Sequence, residues 1–338
     1  MSTELALLPT IAPSTSPINE NLFTVVETIQ ICIWSFTVPF YVFILIFMID
    51  AQRKRSSELS TPFFKLCVST AIIDLLILFT NYFGCMFPKR GYFIDIYIYL
   101  DKFYAHLYLY IAWATGICQA MSVSVLATNR LSAMIFPNKY QKMWLSYRLW
   151  IAISIQFIPG CCMGILTFFN ETQLFVNQKG GIVPKFLNTE MTSNYFLIGA
   201  CFLLVNCLYL ICAYIYLFYV LKKRNNLQLN SSKISTVSKV SISKDTVKRR
   251  ERRLFTMSSI IVGVQLTVLI FFAVKMFSLF HLTIDEFYLF YNALSDLFAS
   301  INPYLLWIFS DSLRKYIYKR LGFASSSVHP TMVSITKI

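Results

Sequence analysis

The sequence predicts an all-α fold: a bundle of seven membrane-crossing helices followed by a short amphipathic helix. Of the 338 residues, 57% are hydrophobic and 14% are charged, whereas soluble domains average about 45–50% apolar and about 25% charged residues. The mean hydropathy of +0.59 is too high for a water-solvated surface. Long runs without charge recur along the chain, and most basic residues fall in alternate loops between them, as in multi-pass membrane proteins.

Five runs without Asp, Glu, Lys or Arg each reach the roughly 20 residues that cross the hydrocarbon core of a bilayer. They contain 22, 27, 22, 31 and 21 residues, at 28–49, 103–129, 149–170, 191–221 and 254–274. These runs are predicted to be five of the spans.

Two further apolar segments each contain one acidic residue: 66–88 contains Asp74, and 287–310 contains Asp296. Counting both as spans places every strongly basic loop on one side of the membrane, as the positive-inside rule expects. That side then holds 24 of the 30 basic residues. We therefore expect a multi-pass protein of the cell membrane, with the amino terminus extracellular and the carboxyl terminus cytoplasmic.

The domain organisation follows from these spans. Residues 1–24 are expected to form an extracellular segment, 25–322 the bundle with its loops, and 323–338 a cytoplasmic tail. The cytoplasmic loop 222–253 holds 11 basic and 2 acidic residues. Such clusters attract the anionic lipids of the inner leaflet, so the net charge of +14 does not indicate nucleic-acid binding.

The sequence gives no indication of catalysis. The nine cysteines lie mostly in apolar runs without the spacing of a metal site, and no phosphate-binding loop or nucleophile–base pair can be recognised. We therefore expect neither an enzyme nor a cofactor nor a bound metal.

Ionisable side chains at membrane depth are costly and usually functional. Asp74 and Asp296 would face the bundle interior, where they could hold a proton, a cation or polar partners; a purely structural role is the alternative. Asp74 and Asn302 are expected at similar depth, roughly 12 Å from the inner ends of their spans at 1.5 Å per residue. This predicts a polar network between them, with Asp296 closer to an outer pocket.

The outer halves of the spans supply candidate residues for a ligand pocket. Those on the third span follow helical spacing, and a packed aromatic stripe is the alternative for them. For Lys275, the alternative is a stem that snorkels to the membrane surface. The candidates are His106, Tyr110, Trp113, Lys275, Asn292 and Asp296.

Two helix ends carry distinctive motifs. The third span ends in Thr128-Asn129-Arg130-Leu131, and the seventh contains Asn302-Pro303-Tyr304 before an amphipathic segment at 311–316. Together with the segments 118–123 and 301–306, these motifs make the stretch from about 22 to 322 resemble the nematode serpentine chemoreceptors of the Srg superfamily. The resemblance is greatest to the Srv class, a group of G-protein-coupled receptors.

This resemblance implies roles for residues at the inner ends of the helices. Contact with a heterotrimeric G protein would involve Arg130, expected to face the cytoplasm, and the basic residues Arg249, Arg250, Arg252 and Arg253. A conformational switch would involve Asp74, Asn302 and Pro303, since a proline removes one helical hydrogen bond and makes a hinge. A positive-inside anchor is the alternative for Arg130, and a static kink is the alternative for Pro303.

The sequence departs from rhodopsin-like receptors in three places. Asn129 replaces the acid that usually precedes the arginine, the sixth span has neither Trp nor Pro, and the second outer loop, 170–194, has no cysteine. We therefore expect no acid–arginine latch, no aromatic toggle of that kind and no disulfide from this loop to the third span.

The function expected from these observations is that of a chemosensory receptor. It would transmit binding of a small external molecule to a cytoplasmic G protein. A seven-span transporter or ligand-gated channel is the alternative, although the two halves show no internal repeat of the kind on which many transporters are built.

Overall fold

A computed structural model describes residues 11–13, 20–56, 58–144, 147–177, 180–232, 241–276 and 284–323. Seven long helices and one of ten residues lie within these ranges, together with short helical turns at Tyr140–Met143 and Leu166–Phe169. The helices are α1 (Glu20–Arg53), α2 (Pro62–Asn81), α3 (Ile94–Ile135), α4 (Tyr147–Ile165), α5 (Thr189–Ser232), α6 (Ser241–Met276), α7 (Ile284–Phe309) and α8 (Asp311–Arg320). A π-helical turn, Tyr82–Met86, and a further turn, Phe87–Lys89, extend α2.

Six helices of the described chain, α1 to α6, contain segments long and apolar enough to cross a membrane. The seventh, α7, has 26 residues, so it is about 39 Å long and exceeds the roughly 30 Å hydrocarbon core. Its three acidic residues, Asp285, Glu286 and Asp296, lower its mean hydropathy. Because α7 packs against α1, α2 and α6, it completes the predicted seven-helix bundle.

The centre of the bundle is α3, which contacts α2, α4, α5 and α6. Gly160 allows α4 to approach α3 closely, because a Cβ at this position would lie 2.2 Å from the carbonyl oxygen of Ala114 and 2.3 Å from Sγ of Cys118. Small residues allow such close crossings in membrane bundles.

The surface of α5 exposes many large apolar side chains, which suits a lipid-facing surface. Among them are Leu204, Val205, Leu208, Ile215 and Phe218.

A small sheet covers the end of the bundle opposite α8, and the sequence analysis did not predict it. Strands β2 (Thr172–Val176) and β3 (Ile182–Phe186) form an antiparallel hairpin, and β1 (Ile11–Pro13) pairs in parallel with β2. Leu174 and Ile182 are buried with Tyr104 and Ala105 of α3. We call this end the outer end and the end carrying α8 the inner end, after the orientation that the charges predict.

A side-chain hydrogen bond and a close approach of two backbones hold the hairpin against the end of α2. Asn177 Nδ2 donates to the carbonyl oxygen of Lys89 at 2.6 Å. A Cβ at Gly181 would lie 1.9 Å from the same oxygen, so only glycine permits this approach. The nine cysteines form no disulfide within the described part of the chain, and the hairpin is therefore positioned by packing and hydrogen bonds.

The segment predicted as a basic loop, 222–253, is largely helical in the structure. α5 continues to Ser232 and α6 begins at Ser241, beyond the charge-free runs that end at 221 and begin at 254. Lys, Arg and Gln are good helix formers, so a helix can continue from the membrane into water. The end of a charge-free run therefore indicates the membrane boundary and not the end of the helix. Residues 324–338 of the predicted tail, and 1–10 and 14–19 of the predicted amino-terminal segment, lie outside the described residues.

Candidate functional site

A cavity of about 100 Å³ lies at the outer end, between α1, α2, α3, α7 and the hairpin. Its walls are largely apolar, and its apolar residues include Phe23, Met86, Leu109, Phe186 and Leu289. Polar side chains on α1, α2 and α7 also line it, among them Gln30, Asn81, Asn292 and Asp296, and the charged residues Glu27, Lys89 and Lys185 belong to its wall as well. An apolar cavity with a few convergent polar groups is the usual form of a small-molecule site.

The carboxylate of Asp296 joins three helices at this cavity. Asn81 Nδ2 donates to its Oδ1 at 2.8 Å, and Gln30 Nε2 donates to its Oδ2 at 2.9 Å. Asp296 is only 4% exposed. The acid predicted to be closer to a pocket therefore does line one, held by amides of α1 and α2.

A second carboxylate, that of Glu27, lies in the cavity wall and is already neutralised. Lys89 Nζ lies 2.6 Å from one oxygen of Glu27, and Arg90 Nε lies 3.3 Å from the other. The Lys89 ammonium also lies 4.3 Å from the ring centroid of Phe23. These contacts fix the outer end of α1 to the end of α2.

Asp74 is the centre of a second polar group, deeper in the bundle. Its Oδ2 accepts hydrogen bonds from the Tyr41 hydroxyl and from Asn302 Nδ2, both at 2.6 Å. Its Oδ1 accepts from Gln119 Nε2 at 2.9 Å. The predicted contact between Asp74 and Asn302 is present, and α1, α2, α3 and α7 all meet at this fully buried carboxylate.

The structure separates the other predicted pocket residues. His106 lines a different cavity beside β2, and its ring stacks on Phe168 with centroids 5.7 Å apart. Tyr110 also packs on Phe168, at 5.5 Å. Trp113 lines a third cavity, deeper between α3, α5, α6 and α7.

Of the five candidates whose side chains the structure describes, Asn292 and Asp296 line the outer cavity; the side chain of Lys275 lies outside the described part of the chain. Helical spacing shows that residues share one face of α3, but it does not show which neighbour that face meets. Sequence reasoning missed Gln30 and Asn81, although uncharged amides inside apolar runs were a usable signal.

At the inner end, Arg130 is half-buried and differs from its expected orientation. Its guanidinium carbon lies 3.4 Å from the ring centroid of Phe63 at the start of α2, so the side chain packs within the bundle instead of extending into the cytoplasm. Stacking on an aromatic face stabilises a guanidinium and covers its apolar surface. Asn129, the residue in place of the usual acid, is buried and accepts from the Tyr140 hydroxyl at 3.1 Å.

Two carboxylates attach α8 to the bundle. Arg253 of α6 and Arg314 of α8 both pair with Asp311 at the first turn of α8. The Tyr316 hydroxyl donates to Asp50 of α1 at 2.7 Å, and Arg320 donates to the same carboxylate at 3.0 Å. Burial and the Asp50 carboxylate raise the pKa of Tyr316 to about 12, so its hydroxyl remains a donor at neutral pH.

Four of the predicted G-protein contacts lie on α6. Arg253 is held by Asp311. The side chains of Arg249, Arg250 and Arg252, on the preceding turn of α6, lie outside the described part of the chain.

Residues 30–323 match the family model of the serpentine type 7TM GPCR chemoreceptor Srv. A curated relative, serpentine receptor class V-1 of Caenorhabditis elegans, is 26% identical over 160 residues, or 46% of this chain. The match spans 50% of that relative's own length.

The fold is also similar to a solved structure, the crystal structure of squid rhodopsin. The TM-score is 0.68 at 13% identity, covering 94% of this chain and 91% of that chain. At this identity the likeness concerns the fold, a seven-helix receptor bundle.

Proposed function

We propose that this chain, which belongs to the Srv family of serpentine seven-transmembrane chemoreceptors, binds a small external molecule and transmits the binding to a heterotrimeric G protein. The ligand site is the outer cavity, and the coupling surface is the inner end formed by α3, α5, α6 and α8.

One observation carries the link between these two ends: α7 contributes to both polar groups. Asp296 lines the outer cavity, and Asn302, six residues later and about 9 Å further along the helix, holds Asp74. Pro303 follows directly and leaves one backbone carbonyl without its helical donor, which provides a point of bending. A ligand that displaces the outer half of α7 would therefore disturb the Asp74 network. In this way, binding in the outer cavity would shift α7 between two arrangements and so change the inner end.

The inner end supplies cations for two partners. The helical extensions of α5 and α6 carry nine of the 11 basic residues of 222–253, which suits both anionic lipid and an acidic surface of a G protein. Arg130 reaches a G protein only after its guanidinium leaves Phe63. Its exposure would therefore accompany activation.

The test is a screen of soluble and volatile compounds on cells that express the chain, with dissociation of a heterotrimeric G protein as the readout. We expect at least one compound to activate the wild type, and Arg130→Ala to lower the response about tenfold or more at equal surface level. Lys142→Ala is the matched control, since it removes an exposed positive charge from the nearby inner turn.

Two outcomes would contradict the proposal. One is a compound that binds the purified chain in lipid nanodiscs while no class of G protein exchanges nucleotide. The other is an equal loss of response in Arg130→Ala and Lys142→Ala, which would make Arg130 one more anchoring charge.

A further inference from the structure

The outer cavity contains a buried carboxylate, that of Asp296, which has no cationic partner among the described residues. Within the described part of the chain, the groups that donate to Asp296 are neutral amides and a hydroxyl, from Gln30, Asn81 and Tyr82. The other acid of the cavity wall, Glu27, has both Lys89 and Arg90. A buried charge that has hydrogen bonds but no counter-charge gains strongly from an incoming cation.

A second acceptor lies beside this carboxylate. Gln30 Oε1 is buried and has no hydrogen-bond partner among the described residues, although Gln30 lines the cavity and is only 5% exposed. Nε2 of Gln30 faces Asp296, since an oxygen in its place would face a second oxygen. An unsatisfied buried acceptor destabilises the empty cavity, so a ligand that donates to it binds more tightly.

The rest of the cavity limits the size and polarity of the ligand. Its volume of about 100 Å³ is below the roughly 150 Å³ of a cavity that holds benzene. Phe23, Met86 and Leu289 supply apolar contacts around the polar group. A compact alkyl group next to a hydrogen-bond donor fits this lining.

An acidic ligand would need a cation in the cavity wall, and Lys89 and Lys185 are less suitable partners for an anion than Asp296 is for a cation. Lys89 already contacts Glu27 at 2.6 Å. Lys185 is only partly exposed on β3, and its ammonium lies 5.7 Å from the ring centroid of Phe175. A solvent-screened cation at the hairpin attracts an anion less strongly than a buried carboxylate attracts a cation.

From these contacts we infer that the outer cavity binds small protonated amines, with the ammonium group donating to Asp296 and to Gln30 Oε1 and the alkyl group packed on Phe23, Met86 and Leu289. The inference rests on the proposed function in one respect: the amine would act as a signal only if the chain is a receptor. Binding of the amine to the cavity needs no G protein.

The experiment measures binding to the purified full chain in lipid nanodiscs by thermal shift and ligand-observed NMR. The three probes are isobutylamine, isobutanol and isobutyrate, which share a carbon skeleton and carry a cation, a neutral donor and an anion at neutral pH. We expect isobutylamine to bind about tenfold or more tightly than either of the others. Asp296→Asn, which keeps the shape and removes the charge, abolishes that preference, whereas Asp296→Glu retains part of it.

The outcomes separate this inference from the receptor function. Binding of isobutylamine without G-protein activation supports the inference and counts against the proposed function. Isobutanol or isobutyrate binding as tightly as the amine overturns the inference, as does isobutyrate binding that Lys185→Gln removes. If Asp296→Asn does not fold, the relative affinities of the three probes for the wild-type chain still test the inference.

Discussion

Asn302 Nδ2 donates to Asp74 Oδ2 at 2.6 Å, and this bond joins the inner half of α7 to α2 within the bundle. Tyr41 of α1 donates to the same oxygen, and Gln119 of α3 donates to the other. Because each bond comes from a different helix, movement of any one of these helices costs a charge-assisted hydrogen bond, about 1.5–3 kcal/mol. The network therefore holds one arrangement of four helices.

Asp74→Asn should change the basal activity of the receptor. The asparagine keeps the shape, but its amide nitrogen cannot accept from Asn302 or Gln119, so the resting arrangement loses about 1–3 kcal/mol. We expect basal G-protein activation to change about fivefold or more, while the affinity of the outer cavity in binding assays stays within a factor of three. Dose–response curves at matched surface level measure both. A large change in affinity with an unchanged basal signal would mean that Asp74 acts on the ligand and not on the helices.

The sequence predicted the contact between Asp74 and Asn302 more fully than it predicted the lining of the outer cavity. Depth follows from the helical rise, so Asp74 and Asn302 could be matched from their distances to the span ends. The rotation of a helix about its axis depends on all its neighbours. Helical spacing therefore predicts that His106, Tyr110 and Trp113 share one side of α3, but it does not predict that His106 and Trp113 line different cavities.

The hairpin of β2 and β3 is not predicted from the sequence for a different reason. β2 and β3 have five residues each and lie within a polar loop, where strand pairing depends on contacts with Tyr104 and the end of α2. Such tertiary contacts are not visible in a local sequence pattern.

The ion pair between Arg253 and Asp311 provides a connection from α6 to α8 in a chain that lacks the usual acid before Arg130. Both side chains are nearly half-exposed, so the pair contributes about 1 kcal/mol or less. Asp311→Asn should therefore raise basal activation by about fivefold or less, and high salt should reduce the difference. Asp50→Asn is the comparison, because it removes a carboxylate that joins α8 to α1 and leaves α6 untouched. Equal basal signals in the wild type and Asp311→Asn would show that this pair does not restrain α6.

Gly181→Ala should weaken the attachment of the hairpin. The added Cβ would lie 1.9 Å from the carbonyl oxygen of Lys89, so backbone must move at a cost of about 1–3 kcal/mol. We expect a lower melting temperature of the purified chain and weaker ligand binding in the outer cavity. Gly263→Ala on α6 is the control, since nothing lies within 4 Å of its Cβ position and alanine favours a helix. Similar melting temperatures for the two variants would show that the hairpin docks in another way.

Membrane orientation is the last prediction, and it follows from the charges and the position of the sheet. Arg253, in the basic part of α6, pairs with Asp311 of α8, and the outer cavity opens at the opposite end, beneath the hairpin. The positive-inside rule therefore places α8 in the cytoplasm and the cavity outside. An epitope inserted before Glu20 should bind antibody on intact cells, and one inserted after Gly322 should bind only after permeabilisation. An epitope inserted at 233–240, within the basic sequence 222–253, should behave like the one after Gly322, because the positive-inside rule predicts that both are cytoplasmic. The reverse labelling would place the cavity in the cytoplasm and exclude an external ligand.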